Sequence, residues 1–544
     1  MARTPLLSSL QVLFRELTAA ERLGIPLAEL RRRRRAVLAR APSRRAFLQQ
    51  SGALFAGAAL GAPLLLAPRA QAAGLSIGIV GGGIAGLNAA LTLHDRGASA
   101  SLFEASNRVG GRMHTDVTSW RDGQTSEWCG ELLDSGHKTM FALARRFGLT
   151  LLDRNKAAAR LAAPQATNWL LGRYYTDAQA QSDFQKIHGV LQKQSAAAPF
   201  PTKYNAHTKT GYDLDHISIH QWIERYVPGG HAAPLGRLLD IAYDVEFGRP
   251  TSVQSALNLI YLLSDQPEPR ELSLFGESDE RYEIAGGNEK LIHAMAAALP
   301  KDTIRTGWRL TAIAQDGSGV NLKFQTPGGA VTWRFDKVIL AIPFSVLRTL
   351  DLTGARFDGR KLTAIRELGY GTNAKLHLEF DRRYWQGKGR WPGNSTGESY
   401  SDTGYQNSWD AALAQKGACG VLNNFTGSTG ARFQPPQAYN TSDVPLVQHH
   451  AREFLSGLET VWPGVSRHYT GTATLSCPAR DPNLMGSYAC YLVGQYTAFS
   501  GHEGARQGRI LFAGEHTSTD FQGYMEGAAA TGADAAKDAM AAVH

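Results

Sequence analysis

Short apolar runs and helical periodicities alternate along this chain. Leu75–Val80 is an apolar run with Ile77, Ile79 and Val80, the pattern of a strand buried on both faces. A helical pattern follows to about Arg96 and stops at Gly97. Ala100–Phe103 predicts a second strand, ended by Glu104. Val338–Ile342 and Arg509–Phe512 read as further buried strands, whereas Gly371–Leu378 alternates apolar and polar positions at the two-residue period of a sheet. The segment from Lys138 to Leu274 is rich in helical patterns, Ser252–Leu263 among them, and strands are expected between about Gly369 and Ala473. The apolar run Ser51–Ala67 is short for a membrane span and rich in small residues.

That run changes the reading of the charge. Ser43-Arg44-Arg45-Ala46-Phe47-Leu48 precedes it, and Ala70-Gln71-Ala72 follows as a small-residue cleavage site. The order predicts a twin-arginine export signal over residues 1–72, cut near Ala72, with the twin-arginine machinery as a partner. The alternative is an anchor that stays attached. Residues 1–72 carry 12 arginines and 3 acids, which leaves 45 basic against 45 acidic side chains in 73–544. The formal +9 belongs to the signal, so no basic nucleic-acid face is expected on the exported part, placed in the periplasm or outside the cell. Cys129, Cys419, Cys477 and Cys490 lack the spacing of a zinc site, and no disulfide can be assigned from it. The length of 73–544 suggests two domains.

The first βαβ unit carries candidate chemistry. Gly81, Gly83 and Gly86 form a GxGxxG between the strand and the helix that begins near Ile84 and Ala85. The first glycine permits a tight turn, the second lets backbone amides approach a pyrophosphate, and the third lets helix and strand pack closely. The helix N-terminus presents partial positive charge to phosphates. Glu104 stands at the spacing of a ribose acceptor, which disfavours NADP; NAD and FAD remain equal candidates on this unit alone.

The next residues separate them. Arg108-Val109-Gly110-Gly111-Arg112 resembles the GG-arginine extension of glutathione-reductase-like FAD proteins, and of the flavin amine oxidase family especially. Ala513-Gly514-Glu515-His516-Thr517-Ser518 and Gly523-Tyr524-Met525-Glu526-Gly527-Ala528 are similar to that family's C-terminal segments, and Tyr282–Gly287 and Val338–Pro343 to its middle pieces. The family includes monoamine, polyamine and L-amino acid oxidases.

The resemblance implies an α/β fold: a Rossmann FAD domain in three parts (73–135, 281–345 and 476–544) joined to an α+β substrate domain. The substrate domain would comprise a helical part, 136–280, and a part of sheet and helices, 346–475. It implies FAD contacts at Gly81, Gly83, Ile84, Ala85, Gly86, Glu104, Ala105, Arg112, Gly130, Glu131, Leu132, Gly514, Glu515, Tyr524 and Met525, and a backbone contact at Leu310. It implies that Lys375 binds a water beside the flavin and aids reaction with oxygen, and that Tyr488 and Tyr524 bracket the substrate amine. Read without the family, Lys375 could be an exposed strand lysine, and either tyrosine a core residue. Monoamine oxidases attach the flavin to a cysteine directly before the first tyrosine; Ser487 stands there, so non-covalent FAD is expected rather than attachment at Cys490.

The implied activity is oxidative deamination of an amine, with oxygen reduced to peroxide. Competing outcomes are an L-amino acid oxidase, a monooxygenase resembling tryptophan 2-monooxygenase, a non-catalytic flavoprotein and an NAD-dependent dehydrogenase. In many L-amino acid oxidases an arginine in a glycine–x–x–Arg stretch holds the substrate carboxylate. Leu133 occupies that place after Gly130, which favours amines without a carboxylate unless Arg249 or Arg281 substitutes. The acid-rich stretch Asp265–Glu280 would attract cationic amines or be a solvated loop. His137 and His516 are expected to be structural, and a homodimer stays open.

Overall fold

The computed structural model describes residues 75–541, apart from 162–164, 265, 267–271 and 277. The twin-arginine segment lies outside the described residues. Among those residues no helix is long and apolar enough to cross a membrane.

Strand β1 (Ile77–Val80), helix α1 (Ile84–Asp95) and strand β2 (Ala100–Phe103) form the first unit, at the bounds the apolar pattern predicts to within two residues. Gly97 ends the helical run with φ +74°. With β3 (Ile304–Arg305), β4 (Lys337–Leu340) and β5 (Ile510–Phe512) they build a parallel sheet in the order β5-β4-β1-β2-β3. Strands distant in sequence thus share one sheet, and every residue of β1, β4 and β5 is buried, as parallel strands covered on both faces must be.

One face of the sheet carries α1 and α2 (Met525–Met540). Their approach depends on small side chains. A Cβ on Gly532 would stand 2.1 Å from the Ala85 carbonyl oxygen, and Asn88 Nδ2 donates to Ala529 O at 2.7 Å across the contact. Leu87, Leu91 and Leu93 are essentially inaccessible to water, each contributing about 2 kcal/mol from burial. The other face meets an antiparallel hairpin sheet, Arg309–Gln315, Val320–Thr326 and Gly329–Phe335. Phe335 of that sheet lies so close to Gly78 that an added Cβ would meet its ring at 2.8 Å.

A second, six-stranded antiparallel sheet is centred on Ala374–Phe380, which pairs with Gly420–Thr426 on one side and Tyr469–Ser476 on the other. The alternation in Gly371–Leu378 suggests a strand with one wet face. All seven residues of Ala374–Phe380 are buried instead, because the polar face turns toward the interior of the site. Helix Pro445–Val461 packs against this sheet. Of the helical group Asp177–Ala197, Ile219–Tyr226, Pro234–Phe247 and Ala256–Leu263, the first and third helices face it across a cavity and the other two pack against them. Ser255 caps the last of these helices by accepting from Leu257 N at 3.3 Å, so the Ser252–Leu263 pattern becomes helix only from Ala256. All four cysteines are buried and unbridged.

Candidate active site

Two spaces meet in the interior. The first is a cleft at the C-terminal edge of the parallel sheet, where α1 begins. Gly81 adopts φ +107°, and a Cβ there would strike the Ala341 carbonyl oxygen at 2.5 Å. Gly86 has no room either: its Cβ would lie 1.9 Å from the Gly81 carbonyl oxygen. Gly83 is different, since nothing lies within 4 Å of its Cβ position, which opens into the cleft. The first and third glycines are therefore demanded by the protein's own packing, and the second keeps space clear for a ligand. No side chain caps the N-terminus of α1 or of α2, so both ends leave backbone N–H groups available at the cleft.

The charged residues of the cleft are held in place before any ligand arrives. Glu104 accepts from Gly82 N at 2.7 Å and from Ser106 N and Oγ at 2.8 Å. Arg112 Nη1 donates to Glu515 Oε1 at 2.9 Å and to Ser487 O at 2.7 Å. Glu515, almost wholly buried, also accepts from Gly523 N at 2.8 Å and Ala489 N at 3.1 Å, so it ties Arg112 of the first part to two backbone positions of the third. Burial opposes the charge of Arg112, but the Glu515 carboxylate beside it outweighs that and raises its affinity for the proton. Gly514 takes φ +130°, and Tyr524 and Met525 line the cleft at the start of α2. Glu526 points away and accepts from Thr139 N and Met140 N at the start of another helix, both at 2.9 Å.

His516 tests what the cleft can hold. Its ring lines the cleft, and neither ring nitrogen has a hydrogen-bond partner. Burial lowers its pKa to about 3, so the imidazole is neutral, with one donor and one acceptor to offer. Together with the open Gly83 cradle, two uncapped helix ends, the Glu104 carboxylate and two arginines, this matches an extended dinucleotide with a polar ring system. The donor set fits FAD.

The second space is a cavity of about 780 Å³ between the central antiparallel strand and the helical group. Lys375 enters its floor, opposite Phe425 and Ser476 in the sheet register. Its ammonium is bonded to the Glu131 carboxylate and donates to Glu127 O at 3.3 Å; Trp409 Nε1 donates to the other Glu131 oxygen at 2.8 Å. Burial alone would raise the Glu131 carboxyl, but the charges of Lys375 and Arg154 hold it at about 2. Nearby Glu127 accepts from Asn288 N at 2.7 Å and Thr115 Oγ1 at 2.9 Å and feels the Lys375 charge, yet burial outweighs these and keeps its pKa well above the ordinary range.

Tyr488 lines both spaces. Its hydroxyl donates to the Glu246 carbonyl, which fixes the ring as the partition between cleft and cavity. Tyr524 lines the cleft alone, its ring edge-on to His137 at 5.4 Å and to Phe521 at 6.4 Å. The two tyrosines expected to bracket a substrate therefore share the cleft, and only Tyr488 reaches the cavity.

Other expected positions are distributed as follows. Gly81, Gly83, Ile84, Ala85, Glu104, Arg112, Gly130, Gly514, Glu515, Tyr524 and Met525 line the cleft. Gly86 stands behind it, under Gly81. Glu131 and Leu132 line the cavity instead, because the carboxylate is drawn to Lys375 and Trp409. Ala105 and the Leu310 side chain line neither space, and Leu310 is buried in the core as part of the hairpin sheet. Cys490 is buried in the core away from both spaces, whereas Ser487 lines the cleft.

The arginines proposed to replace the missing one at Leu133 do not reach the cavity. Arg281 is bound to Asp153, with contacts of 3.0 and 2.7 Å, and Arg249 lies outside the lining. Arg154 lines it, and sequence reasoning missed it. The described part of Asp265–Glu280 is not merely solvated: Ser278, Asp279 and Glu280 line the cavity. Glu280 takes φ +37° there, an uncommon conformation for a side-chain-bearing residue, and burial with the neighbouring Glu398 charge pushes its pKa up to about 7.

Comparison with known proteins bears on the family and the fold. Residues 84–540 match the model of the family described as flavin containing amine oxidoreductase. The chain is 24% identical over 481 residues to an L-amino acid oxidase of Cerastes cerastes, covering 85% of this chain and 86% of the relative. An L-amino-acid oxidase of Pseudechis australis is likewise 24% identical over 482 residues, with 85% and 86% covered. Among solved structures, cyclohexylamine oxidase from Brevibacterium oxydans superposes with a TM-score of 0.71 at 19% identity, covering 86% of this chain and 98% of its own. Wild-type putrescine oxidase bound to putrescine gives a TM-score of 0.68 at 20% identity, covering 85% and 98%.

Proposed function

The chain belongs to the flavin containing amine oxidoreductase family, and from that premise we propose that it oxidises a primary amine at the Tyr488 partition. It is an FAD-dependent oxidoreductase acting on carbon–nitrogen bonds. FAD supplies the acceptor for the hydrogen next to nitrogen and passes the electrons to oxygen. The protein's own residues position and exclude. The observation that carries the reading is that one fixed aromatic ring, Tyr488, borders both the FAD cleft and the substrate cavity, so a substrate in the cavity is delivered to that border.

The cavity lining supports an amine as the substrate. Among the described residues six acids line it, Glu131, Glu280 and Glu398 among them, against the two cations Arg154 and Lys375. Such a lining concentrates ammonium ions. The reacting nitrogen has to arrive at the flavin uncharged, and carboxylates poised near neutrality are suited to take its proton: Glu280 at about 7 is one. The product imine then hydrolyses to a carbonyl compound and ammonia, with peroxide formed from oxygen.

FAD is proposed to be held without a covalent bond, because Ser487 rather than a cysteine lines the cleft before Tyr488. Lys375 is proposed to act on the oxygen reaction as part of a neutral pair with Glu131 rather than as an isolated charge. Export through the twin-arginine route to the periplasm or beyond is proposed from Ser43–Ala72, and fits a protein that must load FAD before it crosses a membrane. The test is peroxide release from the yellow protein across monoamines, diamines and L-amino acids. Release with members of one class supports the reading; a yellow protein silent with all of them would contradict it.

A further inference from the structure

We propose that His220, Glu224 and His231 bind a divalent first-row transition ion of the zinc class, at the surface of the helical group and apart from the FAD cleft and the substrate cavity. The local fold explains why three ligating side chains meet there. Ser218 starts the helix Ile219–Tyr226 through a capping box with Gln221. Ile219, Trp222 and Ile223 take its buried side, which leaves His220 and Glu224, four residues apart, as neighbours on the exposed one. Beyond the helix, Gly229 and Gly230 adopt φ +83° and +53°, and the chain folds back over it. Position 230 requires glycine, because a Cβ there would strike the Glu224 carboxylate. His231 is thereby laid against the helix: its N–H donates to Glu224 Oε1 at 3.1 Å, and its Nδ1 stands 2.5 Å from the same oxygen.

One donor atom from each of the three side chains lies within 4.8 Å of the other two. Zinc bonds of about 2.0–2.1 Å at tetrahedral angles set donors roughly 3.3 Å apart, a closure that rotation of exposed side chains can supply. The two imidazole rings already stand face to face, with centroids 4.0 Å apart. Behind His231, Asp240 of the helix Pro234–Phe247 turns Oδ1 toward Nε2 at 3.4 Å, and Thr251 Oγ1 holds that oxygen. Among the described residues Nε2 has no hydrogen-bond partner. A carboxylate facing the ring nitrogen opposite the one that meets the ion is the arrangement that orients a metal-bound histidine. Two imidazoles and one carboxylate suit zinc, nickel or copper, whereas calcium and magnesium demand more oxygens. The exposed sides of His220 and Glu224 leave an entry path and a coordination position for water.

A second trio, His449, His450 and Glu453, comes from a single helix, Pro445–Val461, so an ion there would tie no separate elements together. An ion at His220, Glu224 and His231 joins the helix Ile219–Tyr226 to the turn that precedes Pro234–Phe247. Gly236 packs on that turn so closely that a Cβ would strike the Gly230 carbonyl. The helix Pro234–Phe247 in turn carries Leu238 to the cavity, and its Glu246 carbonyl accepts from Tyr488. None of His220, Glu224, His231 and Asp240 lines the cavity or the cleft. The ion is therefore a strap on the scaffold behind the site, and its presence does not depend on which substrate the cavity takes.

The test is calorimetric titration of zinc chloride into the untagged, FAD-loaded protein after treatment with a chelator. Saturable uptake of one zinc per chain is expected, with a rise in melting temperature, and magnesium at the same concentration should not bind. His220→Gln and His231→Gln should each weaken zinc binding by about 100-fold, and Asp240→Asn by about tenfold. His220 is exposed, so His220→Gln should melt as wild type without metal; that variant decides the matter if His231→Gln fails to fold. Glu453→Gln should leave the uptake unchanged. X-ray absorption of the zinc-loaded protein should show nitrogen and oxygen neighbours at about 2.0–2.1 Å, imidazole scattering and no sulfur. No zinc uptake, uptake unaffected by His220→Gln, or uptake lost in Glu453→Gln instead would overturn the assignment.

Discussion

Lys375 Nζ and a carboxylate oxygen of Glu131 form an ion pair with both side chains at most 3% exposed, on the floor of the cavity beside the FAD cleft. Neither charge is isolated, and the pair as a whole is neutral. Such a pair is retained for position more than for stability, since both ions are desolvated. Splitting it is the costly event.

Lys375→Met should leave Glu131 buried without its partner. We expect a loss of about 3–5 kcal/mol in unfolding free energy and an oxygen reaction slowed by about 100-fold. The double variant Lys375→Met with Glu131→Gln should regain most of the stability and none of the oxygen rate. Denaturant melts and stopped-flow reaction of the reduced protein with oxygen check the two parts separately.

The glycines of the cleft should divide by what their Cβ would meet. Gly86→Val places carbon against the protein's own backbone, so the FAD-free protein should lose several kcal/mol. Gly83→Val places it in the open cleft, so the FAD-free protein should melt as wild type while its FAD affinity falls at least tenfold. Melting curves and FAD titration of both variants decide this.

The cavity charge should follow Glu280. Its carboxyl titrates near pH 7, so below that it turns neutral and ceases to attract cations. Inhibition by tetramethylammonium, whose own charge is fixed, should weaken as pH falls from 8 to 6. Glu280→Gln should flatten that dependence. An inhibition constant that strengthens toward acid would refute the assignment.

His377 is buried in the central strand, and burial followed by the Lys375 charge lowers its pKa to about 3. The unfolded imidazole takes a proton near 6.5, whereas the folded one stays neutral. Its contribution is therefore complete above 6.5 and lost as pH falls toward 3. Relative to wild type, His377→Leu should gain about 1.4 kcal/mol per pH unit between pH 6 and 4, read from denaturant melts.

The parts legible in the sequence are those whose physics is local. The Gly81–Gly86 turn, the Gly97 stop and the strands on either side follow from neighbours within a few residues. Lys375 was legible as a strand residue, but the alternation around it indicated one wet face; burial of both faces comes from the helix Pro445–Val461 on one side and the helical group across the cavity on the other. Arg154 was not legible. Its place depends on pairing of Leu151–Asp153 with Tyr282–Ile284, and its freedom depends on Arg281 taking Asp153. Neither relation leaves a periodic or spaced signal. Glu131 was legible as part of the site but not on which side of the Tyr488 partition it would fall.

The most direct test of the account is to mix the yellow protein with an amine or amino acid substrate in the absence of oxygen. The account predicts that the flavin absorption bleaches on mixing, returns when air is admitted, and that Gly83→Val protein without FAD does neither. A preparation that binds no FAD when supplied with it, or whose flavin absorption stays unchanged with every amine and amino acid, would contradict it.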